Sequence, residues 1–359
     1  MISSFTITGF KSIANQEIEF SSLTLLAGLN NSGKSSVIQS LRMYSAANSG
    51  DSPLLGGHGS ISDLRSDFVN VNENIIFKMK FRNSLESYLE LNNHEILTKP
   101  ITCPVFFYVG ADRLGPQPFL PLNVALNSRP KVGDRGEFVI DFVKKLEESG
   151  YLIPDEMLHP ASEGKTFEFA LQGWLTEISP GVKFTFSTNR KADISHAEID
   201  NYRPANVGFG LSYTLPIIAA TLGATAKAPN TSNLEEWLLD WEQHKNSNGV
   251  LLVLENPEAH LHPQGQTAMG ILLAYAASCG VQIVVETHSE HVMDGIRIAV
   301  KDGVLKSDNV KFHYLSKSKG GQTIVQTPVL DSDGKLDFWP DGFFDQTLKN
   351  RSKLAKRNR

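Results

Sequence analysis

Gly28-Leu-Asn-Asn-Ser-Gly-Lys-Ser35 ("GLNNSGKS") matches G-x-x-x-x-G-K-[ST] at every fixed position. The residues before it, "NQEIEFSSLTLLAGL", read as strand. Those after it, "SSVIQSLRMYSAAN", place Val37, Ile38, Leu41 and Tyr44 at helical spacing. A strand, a glycine loop and a helix in that order aim backbone N–H groups and a helix N-terminus at an anion. Gly28 and Gly33 let the backbone wrap around phosphates, and Asn30, Asn31, Ser32 and Ser36 complete the loop. Lys34 is then a point charge for the β- and γ-phosphates, and Ser35 a Mg²⁺ ligand. The expected ligands are ATP and Mg²⁺.

Some 220 residues on, "GVLLVLENPEAHLHP" (249–263) runs as an apolar strand into Glu255. Open α/β sheets bind ligands at the C-terminal ends of their strands, so Glu255 is expected to join Ser35 on the metal. The next residue is Asn256, whose amide cannot accept a proton. Pro257 biases Asn256 towards extended geometry, which would turn Glu258 to the same side and make it the base or water-orienting group. Glu286 is a second candidate, and a clamp that binds ATP with almost no turnover is the competing reading. His260 and His262 form an H-x-H pair that suggests zinc only weakly, and "DSDG" (331–334) reads as a turn.

The remaining pattern alternates strands and helices. "ENIIFKMKFRN", "SYLELNN" and "PVFFYVGADR" read as strands and "EFVIDFVKKLEESG" as a helix. The "VGFGLSYTLPIIAATLGA" segment opens an apolar helix, with Ser212 as a natural N-cap and Pro216 in the first turn. "GQTAMGILLAYAASCG", "VQIVVETHS" and "HVMDGIRIAV" continue as helix, strand and helix. Apolar strands between helices imply a parallel sheet covered on both faces, an α/β fold.

In this order, the phosphate loop, "VGFGLS", "VLENPEAHLHP" and "ETHSEH" resemble the ATP-binding-cassette class of P-loop ATPases. "ITGFKSI" is similar to the first strand of RecF/SMC-type heads. "YVGADRLGP" (108–116) and "FWPDGFFDQ" (338–346) resemble segments of OLD-like ATPases of bacterial defence systems, the Septu-type subunit among them. The resemblance implies a P-loop fold of ABC/SMC-head type. Its mainly parallel sheet would carry helices on both faces, with an N-terminal antiparallel β portion and an inserted helical or mixed lobe. The corresponding segments are an ATPase lobe over 1–118, an insertion over 119–204, a second ATPase lobe over 205–330 and a C-terminal segment over 331–359. By resemblance, Gly208, Gly210 and Ser212 form the signature loop, which reaches the γ-phosphate of a partner subunit, and His288 is the switch histidine. Arg113 and Gln117 lie in a loop that could approach the triphosphate or the attacking water.

The implied function is slow ATP hydrolysis driving a homodimeric or higher switch that controls an effector, a partner nuclease in an anti-phage system. The competing function is a RecF-like repair ATPase that binds DNA directly, and a stand-alone metal-dependent nuclease is a distant third.

Bulk composition fits a soluble, cytoplasmic protein. Of 359 residues, 41% are hydrophobic and 20% charged, and two cysteines exclude a disulfide framework. The apolar run "LPIIAATLGATA" is shorter than the roughly 20 residues a bilayer requires. The net charge is −5, yet the last eleven residues, "KNRSKLAKRNR", hold six Lys or Arg and no acid. Such a tail can touch nucleic-acid phosphates, while the acidic remainder opposes a broad nucleic-acid surface.

Overall fold

The computed structural model describes residues 1–124, 129–199, 209–229 and 235–355. Along the chain run β1 (Ile2–Phe10), β2 (Ile13–Glu19), β3 (Leu23–Gly28), α1 (Lys34–Asn48) and the single turn α2 (Ile61–Leu64). Then come β4 (Ile75–Phe81), β5 (Glu86–Leu91), β6 (Ile96–Thr98), β7 (Val105–Val109) and β8 (Leu120–Pro121). They are followed by α3 (Val139–Glu148), α4 (Phe167–Ile178), β9 (Phe184–Asn189), β10 (Ile194–Ile199), α5 (Phe209–Thr225) and α6 (Glu236–Asn248). The last elements are β11 (Val250–Glu255), α7 (Pro263–Ser278), β12 (Gln282–Glu286), α8 (Glu290–Lys301), β13 (Val310–Lys317), β14 (Thr323–Gln326) and α9 (Gln346–Ala355).

Two compact units cut across the segments expected from sequence. One comprises 2–103, 288–290 and 307–359, and the other 104–287 and 291–306, with Met1.

In the first unit an antiparallel sheet runs β2-β1-β4-β5-β6. Alternating burial along β4 puts Ile75, Phe77, Met79 and Phe81 on the inner face, as a half-covered sheet requires. α1 packs on β1, β4 and β5 of that sheet and on β3, so Val37, Ile38, Leu41 and Tyr44 are all at most 1% exposed. Tyr44, at the end of that stripe, donates its hydroxyl to Ser87 at 2.6 Å. β3 pairs in parallel with β13, which turns back antiparallel into β14.

In the second unit β7, β11 and β12 are parallel, with Val253 beside Tyr108 on one side and Val284 on the other. β11 is buried from Val250 to Leu254, the run expected of a parallel strand covered on both faces. α5 packs on β7 and β11, and α7 on β12. α3 and α4 pack against α5, and α3 against the small antiparallel sheet β8-β10-β9. The fold is thus α/β, with parallel strands and an N-terminal antiparallel sheet. Among the described residues no helix is long and apolar enough to cross a membrane. Cys103 is buried, Cys279 is half-buried, and both are free thiols.

Candidate functional site

The phosphate loop belongs to the first unit. β3 delivers it with Gly28 opposite Leu315 of β13. Gly28 has φ +146°, and a Cβ there would lie 2.1 Å from the Leu315 carbonyl oxygen, so no other residue fits without moving β13. The loop then takes Asn31 through φ +63° and Gly33 through φ +111°, the left-handed region that asparagine and glycine tolerate. Thr323 of β14 braces it from behind: its hydroxyl donates to Ser32 O at 2.9 Å and meets Ser12 Oγ at 2.8 Å.

α1 begins at Lys34 with Gly33 as N-cap and no side chain capping it. The Lys34 ammonium, 4% exposed, donates to Gly28 O at 2.8 Å and Leu29 O at 3.1 Å, which folds its charge over the loop. Asn30, Asn31 and Ser35 are exposed and Ser36 is buried. Ser32 Oγ is buried without a hydrogen-bond partner. A helix end without a side-chain cap, an orphaned hydroxyl and a buried lysine suit the phosphates of a nucleotide.

The acidic strand end belongs to the second unit. Glu255 closes β11, and Tyr108 of β7 donates its hydroxyl to Glu255 Oε1 at 2.9 Å. The extended geometry expected at Asn256 is absent: its φ is +45°. Pro257 does disfavour α geometry before it, but asparagine is among the residues that populate the left-handed region. The Asn256 N–H donates to Glu286 O at 2.9 Å and its carbonyl accepts from Ala259 N at 3.1 Å, closing a turn. Glu258 therefore reaches its place through a turn rather than along a strand. Its carboxylate accepts from Thr287 Oγ1 at 2.7 Å, just past β12. Asn256 Oδ1 is buried with no partner.

Arg113 is spent on backbone. Only 2% exposed, it donates to the carbonyls of Gly110, Glu255 and Asn256, each at 2.7 Å. Burial lowers its pKa, opposed by the Glu258, Tyr213, Glu255 and Tyr108 charges. Gln117 instead lines a small cavity of about 40 Å³ with Ser212 and Pro216.

Gly208 lies outside the described residues. α5 starts at Phe209, so Ser212 sits inside its first turn and is not its N-cap, a correction to the sequence reading. Pro216 is likewise in the helix interior rather than the first turn. Placing the start from Ser212 shifted both by one turn, because the apolar run masks where helical hydrogen bonding begins. Gly210 accepts a bond from Thr214 Oγ1 at 2.7 Å. His260 packs its ring edge-on against Tyr213 with centroids 4.6 Å apart, and His262 caps α7 by accepting from Gln264 N. His288 is exposed just beyond β12, in the compact unit that holds the phosphate loop. Asp331 accepts from the backbone N–H groups of Asp333 and Lys335, so "DSDG" is the expected turn. Among the described residues no group of three His, Cys, Asp or Glu is placed to hold a metal ion. Tyr108, Thr287 and Thr323 escaped the sequence reading, since each acts through a neighbouring strand far away along the chain.

A family model described as "AAA ATPase domain" matches residues 1–92 and 175–293. The chain belongs to this ATPase family. A second family, described as a protein of unknown function, matches residues 305–354. No curated protein matches. Similar solved structures include an Smc head bound to the winged-helix domain of ScpA, at 16% identity and TM-score 0.45, covering 92% of this chain and 98% of that one. An Smc head with an extended coiled coil from Pyrococcus furiosus, bound to the C-terminal domain of ScpA, shows 12% identity and TM-score 0.47 over 99% of both chains. The recombination mediator RecF in complex with a nucleotide analogue shows 12% identity and TM-score 0.43, over 90% and 98%.

Proposed function

We propose that this ATPase binds Mg²⁺–ATP, pairs with a second copy around the nucleotide and hydrolyses it slowly, with Glu258 as the base. The observation that carries this reading is the Glu258 carboxylate, fixed by Thr287 in the turn immediately after Glu255. Lys34 and the loop N–H groups of Gly28, Asn30, Asn31, Ser32 and Gly33 bind the phosphates, supported by Ser36. Ser35 and Glu255 would be the Mg²⁺ ligands, and the ion would supply charge neutralisation for the phosphates. Tyr108 orients the Glu255 carboxylate through its hydroxyl. Gly208, Gly210 and Ser212 serve as the signature segment for the γ-phosphate bound by the partner, and His288 is the switch histidine that senses the γ-phosphate. Glu258 takes the proton of the attacking water, while Asn256, unable to accept one, shapes the turn that presents Glu258. A carboxylate reached through a turn fits a slow enzyme better than an acid directly on the strand.

The switch drives a partner effector, a nuclease of an anti-phage system. The resemblance of "YVGADRLGP" and "FWPDGFFDQ" to OLD-like segments supports that setting. Direct DNA binding of RecF type is the competing reading: the basic tail supports it and the acidic remainder of the chain opposes it, while Lys349 on α9 also pairs with Asp341 and Asp345 at 2.8 and 2.6 Å. DNA affinity that falls steeply with salt would favour the DNA reading.

Single-turnover hydrolysis tests the core of the proposal. Glu258→Gln should slow the chemical step by about 10²-fold, within the range general-base catalysis supplies, and still bind ATP. Lys34→Ala should lose ATP binding. A wild-type rate for Glu258→Gln would remove Glu258 from the mechanism.

A further inference from the structure

The Arg113 guanidinium touches both peptides at the end of β11. Its Nη1 donates to Glu255 O and its Nη2 to Asn256 O, both at 2.7 Å, while Nη1 also holds Gly110 O at the end of β7. These two peptides flank the left-handed Asn256, so the clamp fixes the point where the chain leaves the strand for the turn carrying Glu258. An arginine can do this because its fork is planar, rigid and charged at all working pH values.

The opposite side of the guanidinium leads to α5. Its carbon lies 5.5 Å from the centre of the Tyr213 ring, a cation–π contact. Tyr213 directly follows Ser212, and its ring also meets His260, the far end of the Glu258 turn, at 4.6 Å. A Cβ on Gly210 would come within 3.2 Å of His260 O, so the first turn of α5 lies close against that segment. The helix start and the turn are thus joined by a contact chain, Gly110–Arg113–Tyr213–His260.

We propose that Arg113 is a positioning residue that couples the start of α5 to the Glu258 turn. It rests on the ATPase reading above. When the start of α5, residues 209–212, engages the partner's nucleotide, Tyr213 and Arg113 hold the Glu255–Asn256 peptides in register, and Glu258 keeps its aim. Each subunit's hydrolysis then depends on what its own signature segment has bound.

The test combines ATP affinity with single-turnover hydrolysis for Arg113→Lys, Tyr213→Ala and the double variant, with thermal melting of each. Lysine keeps the charge but has one donor nitrogen on a flexible stem, so it lacks the planar fork whose Nη1 and Nη2 reach the Glu255 and Asn256 carbonyls separately. Arg113→Lys should lower the single-turnover rate by about 10²-fold, the scale of a one-ångström misplacement. ATP affinity should stay within about threefold, since the loss falls on the transition state alone. Tyr213→Ala, at a half-buried position, should fall in the same direction, and the double variant should be no slower than Arg113→Lys, because both cut one chain. Additive losses, or rates at the wild-type level in Arg113→Lys, overturn the coupling. Wild-type protein that neither binds nor hydrolyses ATP overturns the ATPase reading and the coupling with it. Normal wild-type turnover with unaffected variants overturns the coupling alone.

Discussion

Asn256 sits at φ +45° with its side-chain carbonyl oxygen buried and unpartnered. It occupies the place where the cassette class usually carries a second acid, and its backbone does work that an acid there does not explain. Asn256→Gly should be tolerated, since glycine visits the left-handed region at no steric cost. Asn256→Val should cost about 1–2 kcal/mol, the penalty for a side chain held in that region, read as a lowered denaturant midpoint. Equal midpoints for the two variants would mean the turn relaxes elsewhere. Glu255 was legible from sequence because an apolar run ended on it, and so was Glu258 as a candidate. What holds Glu258 was not legible. Thr287 is 29 residues away and becomes its neighbour only through the β11–β12 register, in which Glu255 lies opposite Glu286.

The hairpin β13–β14 governs the phosphate loop more than the loop's own sequence does. Gly28→Ala should abolish nucleotide binding and lower the melting temperature, because the new Cβ would meet the Leu315 carbonyl oxygen at 2.1 Å and Ser32 Oγ at 2.8 Å. Retained ATP affinity in that variant would show that β13 yields. The same hairpin carries a buried histidine. His313 lies between the Glu19 carbonyl, 2.7 Å from Nε2, and the Thr327 hydroxyl, 2.8 Å from Nδ1. Burial lowers its pKa below the ordinary 6.5. The neutral ring therefore contributes stability that is fully present above pH 6.5 and is lost as pH falls through the lower folded value. The melting temperature should drop below that pH, and His313→Gln should flatten the slope. An unchanged slope would place the acid sensitivity elsewhere. Elements with a clear period, such as α1 and β4, were legible, and β11 was legible as a short apolar run ending in an acid. The start of α5 was not, because an unbroken apolar run carries no phase to mark it.

At the scale of the molecule, sequence motifs pointed to an ATPase and to the α/β class; the family match over 1–92 and 175–293 bears out the first and the sheets and helices the second. The division into units was not legible, since 288–290 and 307–359 join the N-terminal residues through pairings such as β13 with β3, nearly 290 positions apart. The central claim, a nucleotide-driven dimer, is a property of two copies, and mass in solution measures it most directly. Glu258→Gln should trap the assembled form, so this variant is the one to weigh with and without Mg²⁺–ATP. The account predicts a mass near 39.5 kDa without nucleotide, doubling with it, and no doubling when Lys34→Ala or Ser212→Arg is added. A mass that ignores ATP, or doubling that survives Lys34→Ala, would contradict it.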